Sequence, residues 1–289
     1  MRVGELLMPV TAAMRKNLTS GTYIQADETT VDVQVPGRSG SNHQAYLWQY
    51  GKPGGETVFD FQMGRARPGP LNFLGQYQGI LQTDGYIAYE RVGGVRMVHA
   101  GCWTHARRKF VDAVKLNKLD EAAVRMVSRM DALFGVDAMA REQGFTHLQR
   151  HELRQEKSVP IVAEIQKDLK GIALAALPSS ALGKAANYTL SLWTKLNRFL
   201  KYPELELSNN LAENSMRGVA LGRKNWIHVG SENAGPKVAA ILSVIESCRR
   251  LGVSARKYLA DVMPGLADVS IQRLAERTPL AWKSAKQNG

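Results

Sequence analysis

The residues from Thr22 to Val35 read TYIQADETTVDVQV, and this run constrains the fold more than any other segment of the chain. Its β-branched residues, and the alternation of Val31 and Val33 with polar neighbours, are typical of a β-strand with one buried face. The turn-forming sequence PGRSGSN follows, and AYLWQY at 45–50 and ETVFDF at 56–61 are again strand-like. We therefore predict a three-stranded antiparallel meander at the start of the fold.

The order of elements changes after this meander. Residues 68–79 begin with Pro-Gly-Pro and carry apolar residues at three-residue spacing, which predicts a helix. The strand-like runs GILQTD at 79–84 and VRMVHAG at 95–101 follow, and a basic helix is predicted from about 103 to 118. The order β-β-β-α-β-α-β-α resembles that of the ribonuclease H-like α/β fold, so we expect a mixed sheet with a helical insertion and C-terminal helices.

The rest of the chain is predicted to be mostly helical. From about 115 to 200 no window is strand-like, which indicates an all-helical insertion. The early sequence LLMPVTAAMRKNL has helical spacing without a start signal. The predicted organisation is the tail of an upstream helical region at 1–20, the first part of the α/β domain at 21–114, the insertion at 115–200, the second part of the α/β domain at 201–265 and a C-terminal tail at 266–289.

The charge balance favours a polyanionic partner. The 38 Lys and Arg residues outnumber the 26 Asp and Glu residues, for a formal net charge of +12, which suits nucleic acid or an anionic membrane surface. No stretch approaches the roughly 18 apolar residues of a membrane-spanning helix, and the start does not resemble a signal peptide. Two cysteines, Cys102 and Cys248, cannot form a four-cysteine zinc site. The sequence has no P-loop motif, so it does not predict a P-loop motor. Together these features predict a cytoplasmic protein.

Asp27 is the first of three carboxylates that suggest chemistry. It has the same parity as Val31 and Val33, so it faces the same side of the strand, whereas Glu28 and Asp32 face the other side. A carboxylate on a buried face is costly unless a cation or hydrogen-bond donors accompany it. The alternative is an ordinary turn-forming residue at a strand end.

Asp84 and Glu213 each have a structural alternative as well. Asp84 precedes Gly85 after a short strand, which is typical of an Asp-Gly turn, and Glu213 follows Asn210 at the spacing of a capping box. Hard divalent ions prefer oxygen ligands, and two of them can activate an attacking oxygen and stabilise a leaving one at a phosphodiester. Three carboxylates from two strands and one helix could provide such a site.

Several blocks of sequence together carry a resemblance to a known family. QADETTV, LQTDGYIAYE and NNLAENSMRGVALGRKNW occur in this order, with GCWTHARRKF before the third and GSENAGPKVAAILSVIESCRRLGVSARKYL after it. In these blocks, and over nearly its whole length, the chain resembles the transposases of the insertion-sequence 66 family. The resemblance implies that Asp27, Asp84 and Glu213 occupy the acidic triad of a ribonuclease H-like catalytic domain. It also implies Mg²⁺ or Mn²⁺ as cofactor, with two ions in the site.

The resemblance further implies an activity and partners. A DNA transposase of this kind cleaves phosphodiesters at the ends of its element and transfers the strands into target DNA. The expected partners are transposon-end and target DNA, further copies of the chain and helper proteins of the same element, with no membrane. The chain is expected to lack the amino-terminal DNA-binding region that members usually carry. Ser208, Asn214 and Gly218 stand where Asp, Arg and Pro are common in the family.

Two other interpretations of function remain open at this stage. One is a catalytically inactive, DNA-binding remnant of a transposase. The other is a ribonuclease H-like nuclease that acts in repair or RNA processing, against which the GRKNW and CWTHARRKF blocks argue. Metal-dependent cleavage of DNA would distinguish an active transposase from the inactive remnant. A preference for element ends over random DNA would distinguish it from the general nuclease.

Further candidate residues lie outside the triad. His105, in the Cys102-Trp103-Thr104-His105 block, is a candidate catalytic residue near the scissile phosphate, or it fixes its helix against the triad; core packing is the alternative. Basic side chains interleaved with an aromatic residue suit phosphate contacts and base stacking, and a solvated basic face is their alternative. The predicted DNA-binding residues are Arg107, Arg108, Arg217, Arg223, Lys224, Asn225 and Trp226.

Overall fold

A computed structural model of the protein describes residues 2–35 and 42–287. The turn predicted at 36–42 lies, apart from Asn42, outside the described residues. Five strands form a mixed sheet of order β3-β2-β1-β4-β5, in which β1 pairs antiparallel with β2 and β2 with β3. The strands are Tyr23–Val33 (β1), His43–Gly51 (β2), Thr57–Gln62 (β3), Ile80–Gln82 (β4) and Val98–Ala100 (β5). The predicted α/β class and the predicted meander are confirmed.

Helices make up most of the remaining described chain. They are Arg2–Thr19 (α1), Pro68–Leu74 (α2), Trp103–Leu116 (α3), Glu121–Glu142 (α4), His147–Leu153 (α5), Val159–Ala175 (α6), Ala181–Ser191 (α7), Trp193–Leu196 (α8), Asn210–Trp226 (α9), Gly235–Leu251 (α10), Ala255–Val262 (α11) and Pro279–Gln287 (α12). A π-helical turn, Arg154–Ser158, joins α5 to α6. None of the helices in the described ranges is both long enough and apolar enough to cross a membrane.

The chain divides into two compact units. We call residues 1–81, 86–98 and 210–289 the sheet unit, and residues 82–85 and 99–209 the helical unit. The sheet unit contains β1 to β3 together with α1, α2 and α9 to α12, whereas the helical unit contains α3 to α8. The insertion predicted at 115–200 falls entirely within the helical unit, which also takes in α3.

The alternating pattern of β1 gives the sheet unit a core on each face. Val31 and Val33 are buried on the face covered by α9, where they belong to one cluster with Met216. Ile24 is buried on the opposite face, in a cluster with Val10 of α1. The period-two pattern in the sequence therefore predicts correctly which side chains share a face.

Strand β3 is an edge strand, and helix α10 covers its backbone. Ser243 Oγ accepts a hydrogen bond from the N–H of Phe59 at 2.8 Å, and Ser247 Oγ accepts one from the N–H of Thr57 at 2.9 Å. The Ser247 hydroxyl also donates to the carbonyl oxygen of Thr57 at 2.9 Å. All four residues are buried, so these hydroxyls pair edge groups that water cannot reach.

Replacing both serines by alanine is expected to destabilise the protein strongly. Each substitution leaves a buried N–H without a partner, which costs about 1–3 kcal/mol in the free energy of unfolding. Urea unfolding measures the loss, and Ser284→Ala is the control, because Ser284 is exposed and bonds only to a carbonyl of its own helix. Equal unfolding midpoints for the control and the Ser243→Ala/Ser247→Ala variant would show that the serines do not secure the edge.

The helical unit encloses a buried ion cluster. Asp137 of α4 accepts hydrogen bonds from Arg150 at 2.7 Å and from two nitrogens of Arg154 at 2.8 Å. Arg154 has no exposed surface, and it also donates to the carbonyl oxygens of Phe199 at 2.9 Å and Leu205 at 2.8 Å. The cluster therefore ties α4 and the π-helical turn to the end of the helical unit.

The region expected to be a C-terminal tail is packed on the sheet unit. Leu266 and Leu274 are buried in the same cluster as α1. At the start of α12, the carboxylate of Glu56 accepts a hydrogen bond from the N–H of Leu280 at 2.8 Å. Burial raises the pKa of Glu56. The segment consists largely of short 3₁₀ turns, which have no clear apolar period, so its packing could not be predicted from the sequence.

Candidate active site

Asp27 lies near the middle of β1, opposite Gln49 of β2. The pairing of β1 with β2 is unbroken from residue 25 to residue 33, so Asp27 has the orientation of Val31, toward α9. Its side chain is half-buried, and Oδ1 accepts a hydrogen bond from the N–H of Glu28 at 2.9 Å. The strand thus presents a partly buried carboxylate to the helix above it.

Gln49 adds an oxygen atom on the same face of the sheet. Its side chain is completely buried, and Nε2 donates to Thr57 Oγ1 at 2.5 Å. Its Oε1 has no hydrogen-bond partner among the residues that the structure describes. Directly opposite residues of an antiparallel pair have Cβ atoms about 4.5–5.5 Å apart, so Gln49 is the close cross-strand neighbour of Asp27. A carboxylate beside an amide oxygen is a donor set that fits a hard cation such as Mg²⁺ or Mn²⁺.

Glu213 belongs to α9, the helix that covers this face. It lies three residues before Met216, which is buried against β1, and side chains three apart share a helix face. The Oε1 atom of Glu213 is buried. The helix begins at Asn210, so Glu213 is its fourth residue, one position beyond that of the Glu in a capping box.

Asp84 occupies a tight turn of the helical unit. Gly85 has a φ of +95°, and its N–H donates a hydrogen bond to Thr83 Oγ1 at 3.2 Å. The hydroxyl of Tyr188 donates to the backbone oxygen of Asp84 at 2.6 Å. Burial raises the pKa of Tyr188, with the negative charge of Asp84 as the second cause, so the tyrosine keeps its proton and remains a donor. The predicted Asp-Gly turn is present, and α7 holds it in place.

Gly85→Ala is expected to disturb this turn. A methyl group there would lie 2.7 Å from Leu192 Cδ1 and would force a side-chain-bearing residue into a positive-φ conformation, at a cost of about 1–3 kcal/mol. Thermal unfolding of the variant would be compared with that of Gly135→Ala. Gly135 lies in α4 with nothing within 4 Å of an added Cβ, so its replacement should be neutral or slightly stabilising. A Gly85→Ala protein as stable as this control would contradict the prediction.

The three carboxylates are divided between the two units. Asp27 and Glu213 belong to the sheet unit, and Asp84 belongs to the helical unit. Within the described ranges, no group of three or more His, Cys, Asp and Glu side chains is arranged to hold a metal ion. The sheet unit alone thus offers two carboxylates and the Gln49 amide.

The start of α3 combines core packing with a candidate catalytic residue. Cys102 and Trp103 are fully buried, and the indole N–H of Trp103 donates to the carbonyl oxygen of Leu196 at 2.8 Å. His105, two residues further on, is half-buried. The packing interpretation of Cys102 and Trp103 therefore holds.

The basic residues of α3 have different surroundings. Arg107 pairs with Asp131 of α4, with nitrogen–oxygen distances of 2.5 and 3.1 Å, and would have to leave it to contact a phosphate. Arg108 and Lys109 are exposed. The Lys109 ammonium lies 5.5 Å from the ring of Tyr188, the residue that bonds the Asp84 turn. Lys109 therefore contacts the tyrosine that holds the Asp84 turn.

The candidate DNA-binding residues of α9 fall into two groups. Arg217, Lys224 and Asn225 are exposed. Arg223 instead bonds the side chain of Thr30 on β1 at 2.9 Å. Trp226 is half-buried against the α9-side core, with its indole over Gly222. The first group is available to a ligand without rearrangement.

Gln49 and Tyr188 were not predicted from the sequence as functional residues. Gln49 becomes a candidate site residue only because the strand register places it opposite Asp27. Tyr188 reaches Asp84 from 104 positions away in sequence. No local pattern in the sequence signals either contact.

Comparisons with known proteins show which family and which relatives the chain resembles. The profile of the family described as "Transposase IS66 family" matches residues 1–237. Three proteins of Sinorhizobium fredii (strain NBRC 101917 / NGR234) are similar to the chain: uncharacterized protein y4hP is 30% identical over 96% of this chain and 54% of its own length, y4jD is 32% identical over 98% and 58%, and y4qI is 31% identical over 87% and 49%. The chain thus spans about half the length of these curated relatives.

Proposed function

The chain belongs to the IS66 family of transposases, and on that premise we propose that it cleaves phosphodiester bonds at the ends of a mobile DNA element and joins the freed 3′ ends to target DNA. The observation that carries this proposal is the half-buried Asp27 on the sheet face covered by α9, the helix of Glu213. Further copies of the chain and helper proteins of the element remain expected partners.

In this proposal the carboxylates of Asp27, Asp84 and Glu213 act together as the acidic triad. Asp27 and Glu213 would hold a divalent ion from the sheet unit, with the Gln49 amide beside them, and Asp84 would complete the site. Bound Mg²⁺ or Mn²⁺ supplies activation of the attacking oxygen and stabilisation of the leaving oxygen. His105 is proposed to contact the scissile phosphate, and Arg108 to add positive charge close by.

Cleavage assays on purified protein test this function. Duplexes that carry the terminal inverted repeats flanking the coding frame would be compared with duplexes of random sequence, each with and without Mg²⁺. The proposal predicts metal-dependent nicking at the repeat ends, followed by joining to a second duplex. Metal-dependent cutting of both duplexes alike would favour a general nuclease, and binding without cleavage would favour an inactive remnant.

The surface of α9 is proposed to contact the DNA backbone. Arg217 and Lys224 lie seven residues apart, two helical turns, so they line one exposed side of the helix. Glu213 is the only acidic residue of this helix. An exposed helix side with positive and neutral side chains suits phosphate contacts.

The Arg217→Gln/Lys224→Gln variant is expected to bind all DNA sequences more weakly. Two lost phosphate contacts should reduce the slope of log affinity against log salt by about 1.8, since each contact contributes roughly 0.9 for duplex DNA. Arg273→Gln/Lys286→Gln removes the same charge from residues already paired with Glu276 and Asp261. If both double variants show the wild-type salt slope, Arg217 and Lys224 do not contact DNA phosphates.

A further inference from the structure

A second carboxylate follows Asp27 and has no part in the proposed triad. The side chain of Glu28 is only 3% exposed, and it faces the side of the sheet opposite to Asp27. Its Oε1 accepts hydrogen bonds from Arg65 Nε at 3.0 Å and Nη2 at 2.7 Å. Its Oε2 accepts a hydrogen bond from the hydroxyl of Tyr89 at 2.8 Å. Both oxygens are committed to the protein, so Glu28 is not suited to binding an ion.

The partners of Glu28 are themselves held in place. The guanidinium of Arg65 lies 4.0 Å above the ring of Tyr86, and the Tyr86 hydroxyl donates to the carbonyl oxygen of Arg65 at 3.0 Å. Tyr89 is buried, and its ring meets Trp48 edge-on at 5.4 Å. We call Glu28, Arg65, Tyr86 and Tyr89 the Glu28 clamp, and all four belong to the sheet unit.

The backbone N–H of Glu28 connects the clamp to the carboxylate of Asp27. The N–H of Glu28 donates to Asp27 Oδ1 at 2.9 Å. The pairing with β2 and the fixed Glu28 side chain both hold the backbone at Glu28, whose N–H is the donor that bonds the Asp27 carboxylate. Residues that orient ligands in this way govern metal affinity without touching the ion.

We propose that the Glu28 clamp is a positioning device for the metal-binding carboxylate of Asp27. This inference rests on the proposed function, because it assigns a role toward the metal site. Burial raises the pKa of Tyr89, with the charge of Glu28 as the second cause, so the hydroxyl stays protonated and keeps donating.

Binding of Mn²⁺ alone, measured by titration calorimetry on the full chain, tests the clamp without reliance on activity. Tyr89→Phe removes one hydroxyl and is expected to weaken Mn²⁺ binding roughly tenfold, the lower end for the loss of a group that orients a ligand. Glu28→Gln removes the ion pair with Arg65 as well and should weaken binding further. Tyr258→Phe is the matched control, since Tyr258 is buried in the same core and its hydroxyl bonds the carbonyl oxygen of Arg277.

The outcomes separate the clamp from a merely structural role. The proposal predicts similar shifts in Tm for Tyr89→Phe and Tyr258→Phe, with weaker Mn²⁺ binding in Tyr89→Phe only. Wild-type Mn²⁺ affinity in Tyr89→Phe, or equal losses in both variants, would overturn the clamp while leaving the proposed function intact. No Mn²⁺ binding by the wild-type chain would overturn the clamp together with the metal-dependent function. If Glu28→Gln does not fold, the Tyr89→Phe comparison still decides.

Discussion

The Asp27→Asn variant is expected to lose metal-dependent DNA cleavage by about 10³-fold or more, as is usual when one member of a catalytic unit is removed. The amide keeps the size of the side chain but removes the charge that binds a divalent cation. Folding should be unaffected, because the carboxylate is only half-buried and its removal relieves any repulsion from neighbouring carboxylates. Single-turnover cleavage of element-end DNA measures the effect.

Asp32→Asn provides the matched control for this experiment. Asp32 is exposed on the same strand and, by alternation, faces away from α9. Its replacement removes the same charge and should leave the cleavage rate within about twofold of wild type. Equal rates for the two variants would remove Asp27 from the catalytic site.

The Asp137→Ala variant is expected to lose about 3–5 kcal/mol of stability, the largest loss predicted for any single substitution considered. It removes the carboxylate that pairs with the buried guanidinium of Arg154, whereas Arg150 keeps its ion pair with Glu206. An uncompensated buried charge at Arg154 is costly. Asp131→Ala, which breaks the exposed pair with Arg107, is the control and should cost at most about 1 kcal/mol. Urea unfolding of both proteins would measure the difference. Similar midpoints would show that the cluster does not stabilise the helical unit.

The same cluster predicts a dependence of stability on pH. Burial alone would raise the pKa of Asp137, but the bonds to Arg154 and Arg150 outweigh it and hold the pKa below the ordinary value of 3.8. Because folding lowers this pKa, the ionised Asp137 stabilises the protein at pH values above the ordinary pKa. This stabilisation is lost as the pH falls through the lowered pKa of the folded state. The Asp137→Ala variant should therefore lose less stability than the wild type on acidification below about pH 4.

Local sequence patterns were enough to predict the strand that carries Asp27 and the start of the helix that carries Glu213. The alternation around Val31 places Asp27 on the face of a strand covered by a helix, and the structure has this arrangement. The capping-box spacing of Asn210 and Glu213 likewise indicates a helix start there, and α9 begins at Asn210, although its end at Trp226 includes residues that the sequence predicted as a loop. Both predictions depend on period and on neighbouring residues, which the sequence contains directly.

Contacts between distant residues could not be predicted in the same way. Alternation predicted only that Glu28 faces the side of the strand opposite to Asp27. Its partners Arg65 and Tyr89 lie 37 and 61 positions away in sequence, and its side chain is buried. Arg107 looked like part of a basic run, and Asp131, 24 positions on, pairs with it. A charged side chain on a helix or strand gives no local sign of whether a distant partner will meet it.

The most direct test of the central claim is the location of Mn²⁺ by anomalous diffraction from crystals of the protein with element-end DNA. Anomalous peaks are expected at the carboxylates of Asp27, Asp84 and Glu213, from a pair of ions about 3.5–4 Å apart. Peaks at other carboxylates, with none bound by Asp27 and Glu213, would contradict it.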